Sequence, residues 1–117
     1  MTEKRTFIMP MPPSINRTYK SGNGRFYKDH KAAKWQADAI WKIKSQAITA
    51  LPEGRYCVRV VLYGLRSNAD IDGRIKGILD AIQLAGVITD DKLIDDLNIQ
   101  RGPKDSDPHA YVVISLI

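Results

Sequence analysis

Asp70, Asp72 and Lys76 are the residues of this chain whose types and spacing could do chemistry, and they sit together in Asn68-Ala-Asp-Ile-Asp-Gly-Arg-Ile-Lys76. Within a regular helix, residues i and i+2 point about 200° apart and could not share a ligand. On a non-helical lead-in the geometry differs: Asp70 can precede the helix while Asp72 occupies its first turn, and the two carboxylates can converge. Ionised carboxylates a few ångströms apart repel, and a pKa rises unless a cation lies between them. Magnesium, which takes oxygen ligands at about 2.1 Å, is the natural cation. Lys76 follows Asp72 by one helical turn, so it can hold that carboxylate or face a phosphate and stabilise charge developing there. Asp91, from a separate element, adds a third carboxylate, and Asp90 beside it is a candidate fourth. Three acids and a lysine are the minimum kit for metal-assisted phosphodiester hydrolysis, in which the metal generates hydroxide, polarises the phosphoryl oxygen and orients the leaving group.

Each of these residues also has a plain structural reading, and the spacing leaves both open. Asp70 can simply cap the helix. Asp72 and Lys76 can form an ordinary i,i+4 pair worth a few tenths of a kcal/mol. Asp90 or Thr89 can cap the element that follows. Asp80, Asp95 and Asp96 read as a solvated face, and His30 and His109 match no ligand spacing and read as surface residues.

A second feature lies upstream. Arg17, Lys20, Arg25, Lys28, Lys31 and Lys34 interleave with Tyr19, Phe26, Tyr27 and Trp35. Cations bind phosphates and aromatic rings stack on unpaired or splayed bases, so the stretch is a candidate DNA contact. Arg74 and Lys76, beside the acids, extend the candidate DNA-binding set. With roughly six phosphates neutralised, log K should fall with log salt at a slope near −5.

The elements that must position these groups follow from the apolar pattern. Arg5 to Met9 predicts a short strand, stopped by Pro10, Pro12 and Pro13. Two extended pieces flank Ser21-Gly-Asn-Gly24, a hairpin or loop tip. Asp29 can cap a helix running to about Ala50, with Ala32, Trp35, Ala39, Ile43 and Ala47 facing the core, and Pro52 and Gly54 ending it. Tyr56 to Gly64 alternates as a strand. Ile71 to about Ala85 is a second helix with an Ile71, Ile75, Ile78, Leu79, Ile82, Ala85 stripe, stopped by Gly86. A short helix or turn starts near Thr89-Asp-Asp91, a strand can follow from Leu97 to Gly102, and Tyr111 to Ile117, apolar on both faces, predicts a central strand. The order β, hairpin, α, β, α, short α, β, β indicates one α/β (α+β) domain over residues 1–117, a mixed sheet with helices packed on it.

Composition sets the class. The chain has 117 residues, 44% of them apolar, enough for one core. Eighteen Lys and Arg against 13 Asp and Glu give a net charge of +5, which favours a polyanionic partner. The single cysteine, Cys57, forms no intrachain disulfide and no zinc cluster, and reads as a small buried apolar residue. No 18-residue apolar run exists to cross a membrane, and the N-terminus is not followed by a secretory apolar core; the expectation is a cytoplasmic protein.

Three stretches resemble the RusA family of Holliday-junction resolvases, which is widespread in phages and prophages. Pro12-Pro-Ser-Ile-Asn-Arg-Thr-Tyr19 resembles the family's PPSxNxxY stretch. Asp70-Ile-Asp72 with Lys76 resembles its DxDN…K motif. Gly86-Val-Ile-Thr-Asp-Asp91 resembles its G-hydrophobic-x-x-D-D motif. The resemblance covers most of the chain, with the three motifs in order. It implies a homodimer that binds four-way DNA junctions and makes two symmetric nicks with Mg2+, for which Mn2+ can substitute. It implies Asp70, Asp72 and Asp91 as metal ligands, Asp90 as a less certain one, and Lys76 as catalytic. Gly73 stands where the family usually has Asn, and Ala69 where some members have a basic residue; both changes bear on rate, metal affinity and junction preference. Two-fold symmetric cutting needs two sites, one per chain, which by itself favours a dimer.

The leading expectation is therefore a magnesium-dependent, structure-selective endodeoxyribonuclease acting in DNA recombination and repair. The alternative is a branched-DNA-binding protein with weak or no catalysis. An RNase that cleaves single-stranded RNA is a third reading; the chain lacks the His-based or Arg-His pairs of metal-independent RNases, which leaves the metal-dependent kind open.

Overall fold

The fold is described from a computed structural model, which covers residues 3–14, 19–22, 25–28 and 30–117, with backbone only for 19–22 and 25–28. The Asp29 cap and Arg17 lie outside the described residues, as do the side chains of Tyr19, Lys20, Arg25 and Lys28.

The elements run β1 (Lys4–Pro10), β2 (Tyr19–Gly22), β3 (Arg25–Lys28), α1 (His30–Ser45), β4 (Tyr56–Tyr63), a 3₁₀ turn (Asp72–Arg74), α2 (Ile75–Leu84), a second 3₁₀ turn (Asp91–Leu93), β5 (Ile94–Arg101) and β6 (His109–Leu116). The expected α+β domain with a mixed sheet is what forms. The main sheet has the order β1-β6-β4-β5, and β2 and β3 make a separate antiparallel hairpin. Only β4 and β5 are parallel; β6 runs antiparallel to both β1 and β4.

One face of this sheet is packed. Phe7 and Met9 of β1, Tyr56, Val58, Val60 and Leu62 of β4, and Ala110, Val112 and Ile114 of β6 are buried, and they meet Ala39 and Ile43 of α1 and Ile78, Ala81 and Ile82 of α2. Strict alternation along β4 thus places one set of side chains under the helices. The opposite set stays open. Tyr111 is 36% exposed, so β6 is interior in the sheet order but covered on only one face. Its doubly apolar sequence suggested more, but a sheet with antiparallel pairs tolerates one solvated face. Cys57 shares that open face and is half-buried rather than enclosed. His109, expected at the surface, is half-buried and stacked on Tyr63 with ring centroids 5.0 Å apart.

Several boundaries move for identifiable reasons. The first helix stops at Ser45, not near Ala50, because Ala47 takes a left-handed backbone (φ 57°) well before Pro52. Ala47 is therefore exposed rather than in the core. Gln46 turns back so that its side-chain amide donates to the Ile8 carbonyl and accepts from the Ile8 N–H, covering that edge of β1. Trp35 is half-buried, its Nε1–H donating to the Pro10 carbonyl at 3.1 Å. The second helix proper starts at Ile75, with residues 72–74 wound more tightly as a 3₁₀ turn. It ends as expected at Gly86 (φ 82°), the left-handed position that glycine takes without steric cost. The strand after the Asp91 turn begins at Ile94, three residues before Leu97, because it pairs from its first residue with Tyr56.

Candidate active site

The loop after β4 carries the first two acids. It starts at Gly64, whose φ of 76° turns the chain and whose N–H donates to the Pro103 carbonyl at 3.0 Å. Asp70 ends this loop, and Asp72 opens the 3₁₀ turn that leads into α2. Both acids are exposed. The helix-cap alternative for Asp70 does not hold. The residue at the cap position of the 3₁₀ turn is Ile71, with no side-chain cap bond, and the residue at that of α2 is Arg74, again with none. Among the described residues neither carboxylate has a side-chain hydrogen bond or ion pair. Both carboxylates are therefore open to solvent at the loop–helix junction.

Asp70 lines a cleft of about 660 Å³ with Pro13, Ser14, Arg66, Asn68 and Arg74. Guanidinium groups bonded to main-chain carbonyls brace the loop beside this cleft. Arg74 donates from Nε to the Asp70 carbonyl at 3.1 Å and from Nη1 to the Pro12 carbonyl at 2.6 Å. These bonds tie the acidic loop to the Pro12-Pro13 segment. Arg74, expected to contact DNA, thus also has a bracing role here. Arg101, at the end of β5, donates to the carbonyls of Arg66 and Ala69.

The second pair of acids sits on the other 3₁₀ turn. Asp90 is its cap: its carboxylate accepts the Lys92 N–H at 3.0 Å, and Lys92 Nζ lies 3.6 Å away. That backbone N–H, helped by the nearby lysine charge, holds the Asp90 carboxyl below the usual carboxylate range. Asp91 is half-buried, and its N–H donates to Gln83 Oε1 at 3.1 Å. The side chain of Gln83 therefore docks the Asp91 turn on α2.

Along α2 the polar residues are Lys76, Asp80 and Gln83, spaced 4 and 3 residues apart, so they form one stripe on an otherwise apolar helix. Lys76 pairs with Asp80 at 3.6 Å and not with Asp72. Asp80, expected to be merely solvated, is half-buried and holds the lysine. The stripe leads from the Asp72 turn toward the Asp91 turn. Lys76 and Gln83 are separated by about 10 Å along the axis, from a rise of 1.5 Å per residue. Among the described residues no three His, Cys, Asp or Glu side chains come close enough together to hold a metal ion. Carboxylate oxygens are the donor type that a hard divalent cation takes.

Of the candidate DNA-contacting lysines, Lys31 and Lys34 are exposed on α1, and Lys34 pairs with Asp38 at 3.0 Å. Asp95, expected to be solvated only, receives both Arg55 Nε and Nη2; this lowers its pKa and raises that of Arg55. The sequence reading gives Asp80 only a solvated face, and it does not single out Gln83 or Arg101. The 76/80/83 spacing could have revealed the first two. Nothing local marks Arg101, whose partners lie more than 30 residues away in the chain.

Comparison with known proteins bears on what this arrangement is. The family model for endodeoxyribonuclease RusA matches residues 10–115. A crossover junction endodeoxyribonuclease of Enterobacteria phage HK97 is 29% identical over 99 residues, covering 84% of this chain and 82% of that protein. A crossover junction endodeoxyribonuclease of Aquifex aeolicus (strain VF5) is 30% identical over 96 residues, covering 80% of this chain and 76% of the relative. The matched span includes the proline segment, the Asp70-Asp72 loop, α2 and the Asp91 turn, and on it this chain belongs to the RusA endodeoxyribonuclease family.

Proposed function

We propose that the protein is a structure-selective endodeoxyribonuclease that resolves four-way DNA junctions by Mg2+-dependent phosphodiester hydrolysis, acting as a homodimer. The observation that carries this reading is the pair Asp70 and Asp72. They are exposed and without side-chain partners among the described residues, and Asp70 lines a cleft whose loop is braced by two arginines. Membership of the RusA family and the names of two relatives supply the substrate class.

In this reading Asp70, Asp72 and Asp91 would hold the cation, which would supply a lowered water pKa and a polarised phosphoryl oxygen. The carboxylates provide hard oxygen ligands, and their mutual repulsion is offset only when the cation is present. Lys76, in the first turn of α2, neutralises charge on the phosphate as the bond to the leaving oxygen lengthens. Asp80 keeps the Lys76 ammonium ordered on α2 until DNA arrives. Asp90 caps the Asp91 turn and fixes where the third acid emerges. Arg66, Asn68 and Ser14 line the cleft beside Asp70 and suit a phosphodiester strand, while Lys31 and Lys34 extend the positive surface along α1. Two such sites related by a two-fold axis match the pseudo-symmetry of the junction.

A cleavage assay on a synthetic four-way junction beside a linear duplex of the same sequence, with Mg2+ and with EDTA, tests this. Paired symmetric nicks in the junction alone, and only with Mg2+, are expected. Tight junction binding without nicks would replace this reading with that of a junction-binding protein.

A further inference from the structure

We propose that Arg101 is a positioning residue for the acidic site: from the end of β5 it holds the loop that presents Asp70. The proposal rests on the reading of Asp70 as a metal ligand.

The loop from Gly64 to Ile71 contains no helix or strand, and the backbone bond described within it is Ala69 N–H to the Arg66 carbonyl at 3.1 Å. Such a segment would sample many conformations, and a carboxylate at its end would sample many positions. Two guanidinium groups remove that freedom. Arg101 donates from Nη1 to the Arg66 carbonyl and from Nη2 to the Ala69 carbonyl, so one planar group spans the turn just before Asp70. Arg74 takes the next carbonyl, that of Asp70 itself. With the carbonyls of residues 66, 69 and 70 committed to guanidiniums, the backbone at Asp70 has a defined orientation at the edge of the cleft.

Arg101 is suited to this because its own base is rigid. It pairs with Leu62 in the parallel β4–β5 ladder, and Leu62 is fully buried. The next residue, Gly102, donates to the Leu62 carbonyl at 2.9 Å; a Cβ there would stand 2.7 Å from Val61 Cγ1, so the strand end approaches β4 as closely as glycine allows. The fixed fork of an arginine sets two acceptors relative to each other, which the point charge of a lysine cannot do.

The test uses the full chain with Arg101→Gln and Arg101→Lys. Four readouts are compared with wild type: calorimetric Mn2+ titration without DNA, junction binding in EDTA, single-turnover nicking across a Mg2+ series, and amide hydrogen exchange over residues 66–72. Arg101→Gln should weaken Mn2+ binding by about 10- to 100-fold, the usual effect of losing a group that orients a ligand. It should raise the Mg2+ needed for half-maximal rate and speed exchange at 66–72, with junction affinity in EDTA unchanged. Arg101→Lys, which keeps the charge but loses the fork, should restore only part of the Mn2+ affinity. Wild-type Mn2+ affinity in both variants would overturn the proposal, as would full recovery with lysine or a defect confined to junction binding in EDTA; the last would make Arg101 a plain phosphate contact. A wild-type chain that binds no Mn2+ overturns the metal reading and this proposal with it, whereas equal Mn2+ binding by wild type and variants overturns this proposal alone.

Discussion

Lys76 Nζ lies 3.6 Å from the carboxylate of Asp80, one turn further along α2, and not on Asp72 one turn before it. The pairing leaves Asp72 unneutralised by the lysine and keeps the ammonium on the polar stripe of the helix. Lys76→Ala is expected to lower the single-turnover nicking rate more than it weakens junction binding. Asp80→Asn should lower the rate less, since the lysine charge survives without its partner. A salt-sensitive loss of affinity at unchanged single-turnover rate in Lys76→Ala would reassign the lysine as a DNA contact.

Asp70→Asn and Asp72→Asn should each abolish nicking while keeping junction binding. Neither carboxylate caps a helix or carries an ion pair among the described residues, so the fold loses nothing with the charge. Binding should hold or tighten, because a negative charge near the phosphates is removed. Gel shift and nicking assays on the same samples decide it, and full activity in either variant would disprove the ligand assignment.

Gly64→Ala should damage the site from a distance. The φ of 76° already disfavours any side chain by about 1–2 kcal/mol. A Cβ there would also stand 2.6 Å from the Asp105 carbonyl oxygen and 3.0 Å from Pro108 Cα, both main chain. A lower Tm together with a reduced nicking rate is expected, because Gly64 opens the loop that ends at Asp70. Unchanged values of both would show that the turn does not constrain the loop.

Acid should weaken the fold through Asp95 and Asp90. Arg55 holds the Asp95 carboxyl below its ordinary value, and the Lys92 N–H does the same for Asp90. A carboxyl whose folded pKa is depressed contributes stability that is fully present above its unfolded pKa and is lost as pH falls through the folded one. Tm should therefore be flat near neutrality and fall below about pH 4, the ordinary aspartate range. Asp95→Asn should flatten that acid limb while lowering Tm at neutral pH. An identical pH profile in the variant would show that the Arg55 pair contributes nothing measurable, a common outcome for exposed pairs.

How much was legible beforehand depends on the range of the interaction. The apolar period of residues 75–84 announced α2, and the alternation of residues 56–63 announced β4, because side-chain spacing is a local property. The end of α1 was not legible, because an alanine in a left-handed conformation and a glutamine reaching back to Ile8 stop it, and neither is a sequence signal. Asp90 was equally ambiguous as cap and as ligand, since the same residue type does both; the structure shows it capping.

The sequence alone determined the fold class, the basic balance, the Asp70-Asp72 and Asp91 candidates and the resemblance that carried them, all of which rest on residue type and short spacing. Tertiary structure decided what surrounds those acids. The Lys76–Asp80 pair and the Gln83 bond to Asp91 depend on how α2 is oriented against the Asp91 turn. The Arg101 hold on residues 66 and 69 depends on β5 lying parallel beside β4. The physical reason is distance along the chain: a guanidinium meets a carbonyl more than 30 residues away only after the sheet has formed, and no local pattern encodes that meeting.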